Sequence, residues 1–204
     1  MKLYFTARAP NPERVRFFLQ EKGLWEGLER VELSILEKQH KLPDYLAVSP
    51  LNQVPALELD DGTSLTESRA ICTYFEGLHP EPNLMGRDAK ERAVIEMWDR
   101  RMELSYLLLI GGWFRNSHPA MAELEVPQSA EWAGIQSGRA QKMAAFIDER
   151  LASSPFVAGD RFTIADITLH VALGLGRIVK FKPWEELPNL AAWRERVSER
   201  PGLA

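Results

Sequence analysis

In the first part of the chain, apolar side chains follow two periods in turn. Lys2-Leu3-Tyr4-Phe5 reads as a short buried strand. After a turn at Ala9-Pro10-Asn11-Pro12, the residues Val15, Phe18 and Leu19 share one face of a helical repeat. This predicts a helix with Pro12 in its first turn and Gly23 as its stop. Glu29 to Leu33 returns to the alternation of a strand, Gln39-His40-Lys41 falls in a polar loop, and Pro43 to Val48 has room for one short helix. Then two short alternating runs flank Asp61-Gly62, the dipeptide that most readily adopts the positive φ angles of a tight hairpin turn. A helix follows from Glu67 to about Leu78, with Ala70, Ile71, Tyr74 and Phe75 able to face a sheet.

The order is β-α-β-α-β-β-α. His79-Pro80-Glu81-Pro82-Asn83, proline-rich and polar, predicts a boundary near residue 82: a first domain over residues 1–79, a linker over 80–87 and a second domain over 88–204. Beyond it no strand pattern occurs. Long helical periods run over about Asp88 to Ile110, Gln128 to Leu151, Ile164 to Val179 and Asn189 to Glu199, an all-α bundle in which Gly111-Gly112 is a place to end or bend the first helix. Thr163-Ile164-Ala165-Asp166 has the spacing of a capping box, a role in folding whose loss should cost about 1 to 2 kcal/mol.

Composition narrows the function. With 204 residues, 45% of them hydrophobic, the chain has ample material for a core, and a net charge of −4 offers no broad cationic field for nucleic acid or an anionic membrane. No apolar stretch is long enough to cross a bilayer. The single cysteine, Cys72, excludes an internal disulfide, suits a reducing compartment such as the cytoplasm, and reads as a small buried residue of its helix. His40 and Lys41 have no second histidine or carboxylate at metal-ligand spacing, so no metal is expected.

The chemistry concentrates between Val54 and Ser68. Pro55 opens the first hairpin strand without an N–H to give, which leaves the backbone of Val54 free to pair with an extended peptide instead of a sheet neighbour. Glu67-Ser68 stands where a helix begins; it serves either as a simple cap or, with the unpaired amides of that helix start, as a carboxylate site.

These features, in this order, resemble the soluble glutathione S-transferases over almost the whole length. The resemblance implies a thioredoxin-like α/β N-terminal domain followed by an all-α C-terminal helical bundle, with glutathione as co-substrate and a homodimeric, cytoplasmic protein of detoxification as the expected setting. It further implies a cis Val54-Pro55 bond, with the backbone of Val54 pairing to the cysteinyl part of glutathione. Glu67 and Ser68 would hold the γ-glutamyl end, Gln39, His40 and Lys41 would meet the glycyl carboxylate, and Gln53 would assist. The second substrate, a small hydrophobic electrophile or a peroxide, would meet the first helix of the second domain, where Arg100, Arg101, Tyr106, Trp113, Phe114 and Arg115 cluster in the sequence.

The thiol-activating residue departs from the family pattern. A free thiol of pKa about 8.5 must be lowered by about two units, roughly 2.7 kcal/mol, to be mostly ionised at neutral pH. Phe5 stands where tyrosine-type classes carry their hydroxyl, Ala9 where theta-like and zeta-like members carry serine, and Pro10 and Asn11 where a beta-like cysteine would fall. Ala9-Pro10-Asn11 is most similar to the Thr-Pro-Asn run of bacterial Nu-type members with its threonine replaced. Asn11 is the first candidate to aim a donor at sulfur, although Asn before Pro is also an ordinary turn feature, and Thr6 is the second. Two rivals accompany the transferase reading: a Nu-like glutathione-dependent disulfide oxidoreductase, and a non-catalytic binder that keeps the pocket without turnover.

Overall fold

The computed structural model describes residues 1–200, 202 and 203; Pro201 and Ala204 of the second predicted domain lie outside the described residues. The chain divides into two compact units, Met1–Leu84 and the remainder from Met85.

The first unit runs β1 (Lys2–Phe5), α1 (Pro10–Glu21), β2 (Glu29–Glu32), α2 (Pro43–Val48), β3 (Ala56–Glu58), β4 (Ser64–Thr66) and α3 (Ser68–Leu78). Its mixed sheet has the order β2-β1-β3-β4, with β1 parallel to β2 and antiparallel to β3. Leu3 opposes Leu57 at the centre of the sheet, and both are fully buried. The hairpin between β3 and β4 turns at Gly62, whose φ of +85° is the geometry its Asp-Gly signal demands.

Two details of the helices differ from the sequence reading. α1 opens at Pro10, not Pro12: both prolines already hold the φ of a helix, and neither needs an amide acceptor in the first turn. On α3 the buried stripe is Ser68, Ile71, Cys72 and Phe75, a strict i, i+3, i+4, i+7 set, so Ala70 is exposed and Cys72 takes its place in the core. α1 presents Val15, Phe18 and Leu19 to the interior and packs against α3.

The second unit is helical: α4 (Ala89–Met102), a π-helical turn (Glu103–Leu107), α5 (Leu108–Ser117), α6 (Ala130–Ala152), α7 (Ile164–Gly176) and α8 (Pro188–Ser198). Helix persists through Gly111-Gly112 to Ser117 instead of ending there. Gly112 lies close to α6: a Cβ on it would sit 3.1 Å from the Gln136 amide nitrogen, so the Gln136 side chain would have to give way by a few tenths of an ångström. Eleven of the thirteen residues of α7 are buried, which makes it the central helix, packed by α4 and α5.

Before α7, the carboxylate of Asp166 accepts from Thr163 N–H at 2.9 Å and Thr163 Oγ1 at 3.1 Å, and also from Val157 N–H and Trp193 Nε1, both at 2.9 Å. The capping box is therefore part of a larger buried network that ties three segments together. Burial pushes the Asp166 carboxyl up to about 6 in spite of its four donors.

Candidate functional site

In the first unit, Asn11, Ser49, Leu51, Gln53, Val54, Pro55, Thr66, Glu67 and Ser68 line one cleft. Its floor is set by the segment before β3. The Gln53 carbonyl accepts from Tyr45 Oη at 2.5 Å and from Ser49 Oγ at 2.9 Å, two bonds that fix the approach to Pro55. The Val54-Pro55 peptide is cis. Val54 packs its side chain on the cluster of Tyr45, Val48 and Ala56, while its own N–H and C=O make no hydrogen bond with the described residues. A strand-like segment with both backbone groups open is a template for one more extended peptide.

The opposite lip is the start of α3. Glu67, exposed, occupies the N-cap position with φ +66° and ψ 114°, a conformation that side chains rarely adopt. No side chain among the described residues caps this helix. Ser68, directly after it, is buried, and its Oγ accepts a hydrogen bond of 3.1 Å from the guanidinium of Arg14, itself fully buried. The lip thus combines an open helix N-terminus, a hydroxyl and a carboxylate. That set can take a zwitterionic group, with the carboxylate on Ser68 and the helix amides and the ammonium on Glu67.

Asn11 lies at the second helical position of α1, exposed, and its side chain makes no hydrogen bond with the described residues. Pro10 and Pro12 on either side carry no N–H, so Asn11 supplies both the side-chain amide and the backbone amide of this first turn. Thr6 is placed differently. Its hydroxyl donates to the Leu33 carbonyl at 2.8 Å, joining the end of β1 to the segment after β2, and it does not line the cleft.

Gln39, His40 and Lys41 form a short 3-10 turn and do not line the cleft either. The Gln39 side chain accepts from Ser34 N–H at 2.7 Å and donates to Glu37 at 3.2 Å, a loop-shaping role. His40 is buried; desolvation, with the charge of Lys41 second, lowers its pKa and keeps the ring neutral. Lys41 is exposed.

Of the side chains expected to meet a second substrate, several have other partners. Arg100 is ion-paired with Asp99, Glu96 and Glu103, and Arg101 lies over the Trp98 ring at 4.6 Å. Tyr106 is fully buried, packed edge-on against Phe181, which Trp113 also contacts. Burial alone raises the Tyr106 pKa, and its hydroxyl has no partner among the described residues.

Sequence reasoning missed Ser49, Leu51, Thr66 and Arg14. The first three are ordinary loop and strand-end residues with no distinguishing signal. Arg14 had one: it falls in the same helical stripe as Val15, Phe18 and Leu19, a charge where the periodicity calls for an apolar residue.

A four-stranded mixed sheet with helices in the first unit and a helical second unit make a two-unit architecture, and comparison with known proteins gives it a family. Residues 3–83 match the glutathione S-transferase N-terminal domain and residues 101–201 the glutathione S-transferase C-terminal domain. Glutathione S-transferase 2 of Saccharomyces cerevisiae is 37% identical over 204 residues, covering 100% of this chain and 88% of the yeast one. Two crystal structures superpose over 100% of the chain. That of a glutathione S-transferase domain-containing protein from Marinobacter aquaeolei VT8 does so at a TM-score of 0.95 with 38% identity, over 100% of its own length. That of Gtt2 from Saccharomyces cerevisiae does so at 0.93 with 37%, over 98% of its length. The chain belongs to the glutathione S-transferase family.

Proposed function

We propose that the chain binds glutathione in the cleft of its first unit and transfers the thiolate to small electrophiles. The observation that carries this reading is the open backbone of Val54, beside a cis proline, in the same cleft as the uncapped start of α3. One extended peptide with a zwitterionic end satisfies both. Val54 pairs with the cysteinyl residue; Glu67 takes the γ-glutamyl ammonium, while Ser68 and the α3 amides take its carboxylate. Gln53 assists. Of the Gln39–Lys41 turn, Lys41 is the group suited to the glycyl carboxylate, since Gln39 shapes its own loop and His40 is held neutral.

Asn11 stabilises the sulfur as charge develops on it. Its side-chain NH₂ and backbone N–H are both available, whereas the proton of Thr6 is committed to Leu33. The thiolate attacks the electrophilic carbon, the leaving group departs with the bond electrons, and no covalent enzyme intermediate forms. With a hydroperoxide the same thiolate would attack the terminal oxygen, breaking the O–O bond to release the alcohol and leave a sulfenic acid, which a second glutathione thiol converts to the disulfide and water.

A homodimer is the assembly this reading expects, in a cytoplasmic setting. Met97, Leu104 and Leu108 leave an exposed apolar edge along α4, the π-turn and the start of α5.

Calorimetric titration with reduced glutathione and with glutathione disulfide, alongside turnover of chloro-dinitrobenzene, tests the proposal. Tighter binding of reduced glutathione with measurable turnover supports the transferase. Tighter binding of the disulfide supports the Nu-like oxidoreductase, for which Asn11 is the favouring feature. Binding without turnover of electrophile, hydroperoxide or disulfide leaves a carrier, and binding of neither form removes the assignment.

A further inference from the structure

Arg14 is the one guanidinium among the described residues that is fully buried; it does not line the cleft but bonds to Ser68, which does. Its Nη1 donates to Ser68 Oγ at 3.1 Å. A guanidinium has donors and no acceptor, so this bond must fill an oxygen lone pair of Ser68 and cannot take the hydroxyl proton. Ser68 makes no other hydrogen bond with the described residues, and it lines the cleft. A hydroxyl is normally a rotor able to serve as donor or acceptor. Here one lone pair is occupied by a cation, which turns the proton away from Arg14 and polarises the O–H bond.

Resting on the glutathione reading above, we infer that Arg14 is a positioning residue: by holding one lone pair of Ser68 it aims the hydroxyl proton away from itself, and thereby favours an anionic acceptor, the α-carboxylate of a γ-glutamyl group, at the start of α3. Arg14 touches neither the ligand nor the reacting sulfur. Its place on the buried face of α1 and the placement of Ser68 at the first helical residue of α3 mean that the packing of two helices sets the direction of one proton.

The test is a double-mutant cycle read by calorimetry with reduced glutathione on wild type, Arg14→Met, Ser68→Ala and the double variant, with thermal unfolding of each as a check on folding. Ser68→Ala and Arg14→Met should each weaken binding by about 10-fold, the scale of one hydrogen bond to a charged group, and the double variant should be no weaker than Ser68→Ala alone. Should Arg14→Met not fold, Arg14→Gln, which is neutral and has an amide oxygen able to accept the Ser68 proton, carries the same cycle. A second ligand separates positioning from general support of the fold: γ-aminobutyryl-cysteinyl-glycine lacks the carboxylate in question, and its affinity should be the same for wild type and the Arg14 variant. Additive losses in the cycle, or equal losses for both ligands, would overturn the inference while leaving the glutathione site standing. A wild type that fails to bind glutathione would overturn the site reading, and this inference with it.

Discussion

The starts of α3 and α7 pose the same physical problem, a set of helix amides without intrahelical acceptors, and the chain solves it in opposite ways. At α7 the answer is internal. Asp166 sits in the first turn, reaches back to Thr163, and gathers donors from Val157 and Trp193 as well, so that every lone-pair direction of its carboxylate is used. At α3 no side chain among the described residues caps the helix, the N-cap residue is held at positive φ, and the hydroxyl of the first helical residue is primed from behind by Arg14. A closed N-terminus stabilises its own unit. On the glutathione reading, an open one withholds that stabilisation until the ligand arrives, and the same groups that build a core at α7 build a binding site at α3.

If this contrast is right, the largest effect of any single substitution falls at the closed end. Asp166→Ala strands four donors, and urea unfolding should report a loss of about 3 to 5 kcal/mol, more than a capping box alone would give, with glutathione affinity of the folded protein unchanged. The same carboxyl carries a pH signature. Its folded pKa lies near 6, above the ordinary value of 3.8, so its contribution is complete below the unfolded value and is lost as pH rises through about 6. Relative to Asp166→Asn, wild-type stability should therefore fall from pH 4 to pH 7, by on the order of 2 to 3 kcal/mol. A flat difference between the two proteins would break this half of the comparison.

At the open end, substitutions should move function more than stability. Asn11→Ala should lower kcat/KM for chloro-dinitrobenzene by about 10- to 100-fold and reduce the ultraviolet absorbance of bound thiolate at neutral pH, with no change in Tm. Glu67→Gly should go in two directions at once: relief of the positive φ should stabilise the protein by about 1 kcal/mol while glutathione binding weakens. If it stabilises without a loss of affinity, Glu67 is not part of the site. The smallest effect is expected at Thr6, where Thr6→Val removes a bond to Leu33 and should cost about 1 kcal/mol of stability with kcat/KM nearly unchanged.

The sequence carried the fold because periodicity and turn chemistry act locally: the strand β1, the Asp61-Gly62 hairpin, the α3 stripe and the Thr163-Asp166 spacing each announce themselves within a few residues. What it did not carry depends on non-local geometry. The π-turn at Glu103–Leu107 inserts into an otherwise regular helix, and a window that averages periodicity passes over it. The sequence ranks Asn11 before Thr6 by resemblance alone, since each carries a donor. Only the fold shows that one hydroxyl is committed to a carbonyl distant in sequence while the amide of the other remains available. Arg14 was visible as a charge out of place, but its partner is 54 residues away.

The proline-rich stretch after α3 has a different consequence. By composition it is a tether, the kind of segment that proteases find first. Lys22, whose ammonium is wholly buried, donates to the carbonyls of His79 at 2.7 Å and Pro82 at 2.9 Å and pairs with Glu76 at 2.8 Å. One side chain from the end of α1 thus acts as a clasp on the stretch that leaves the first unit. The segment is held through two of its carbonyls by a buried cation of the first unit, and its loosening is tied to the release of Lys22 from that unit.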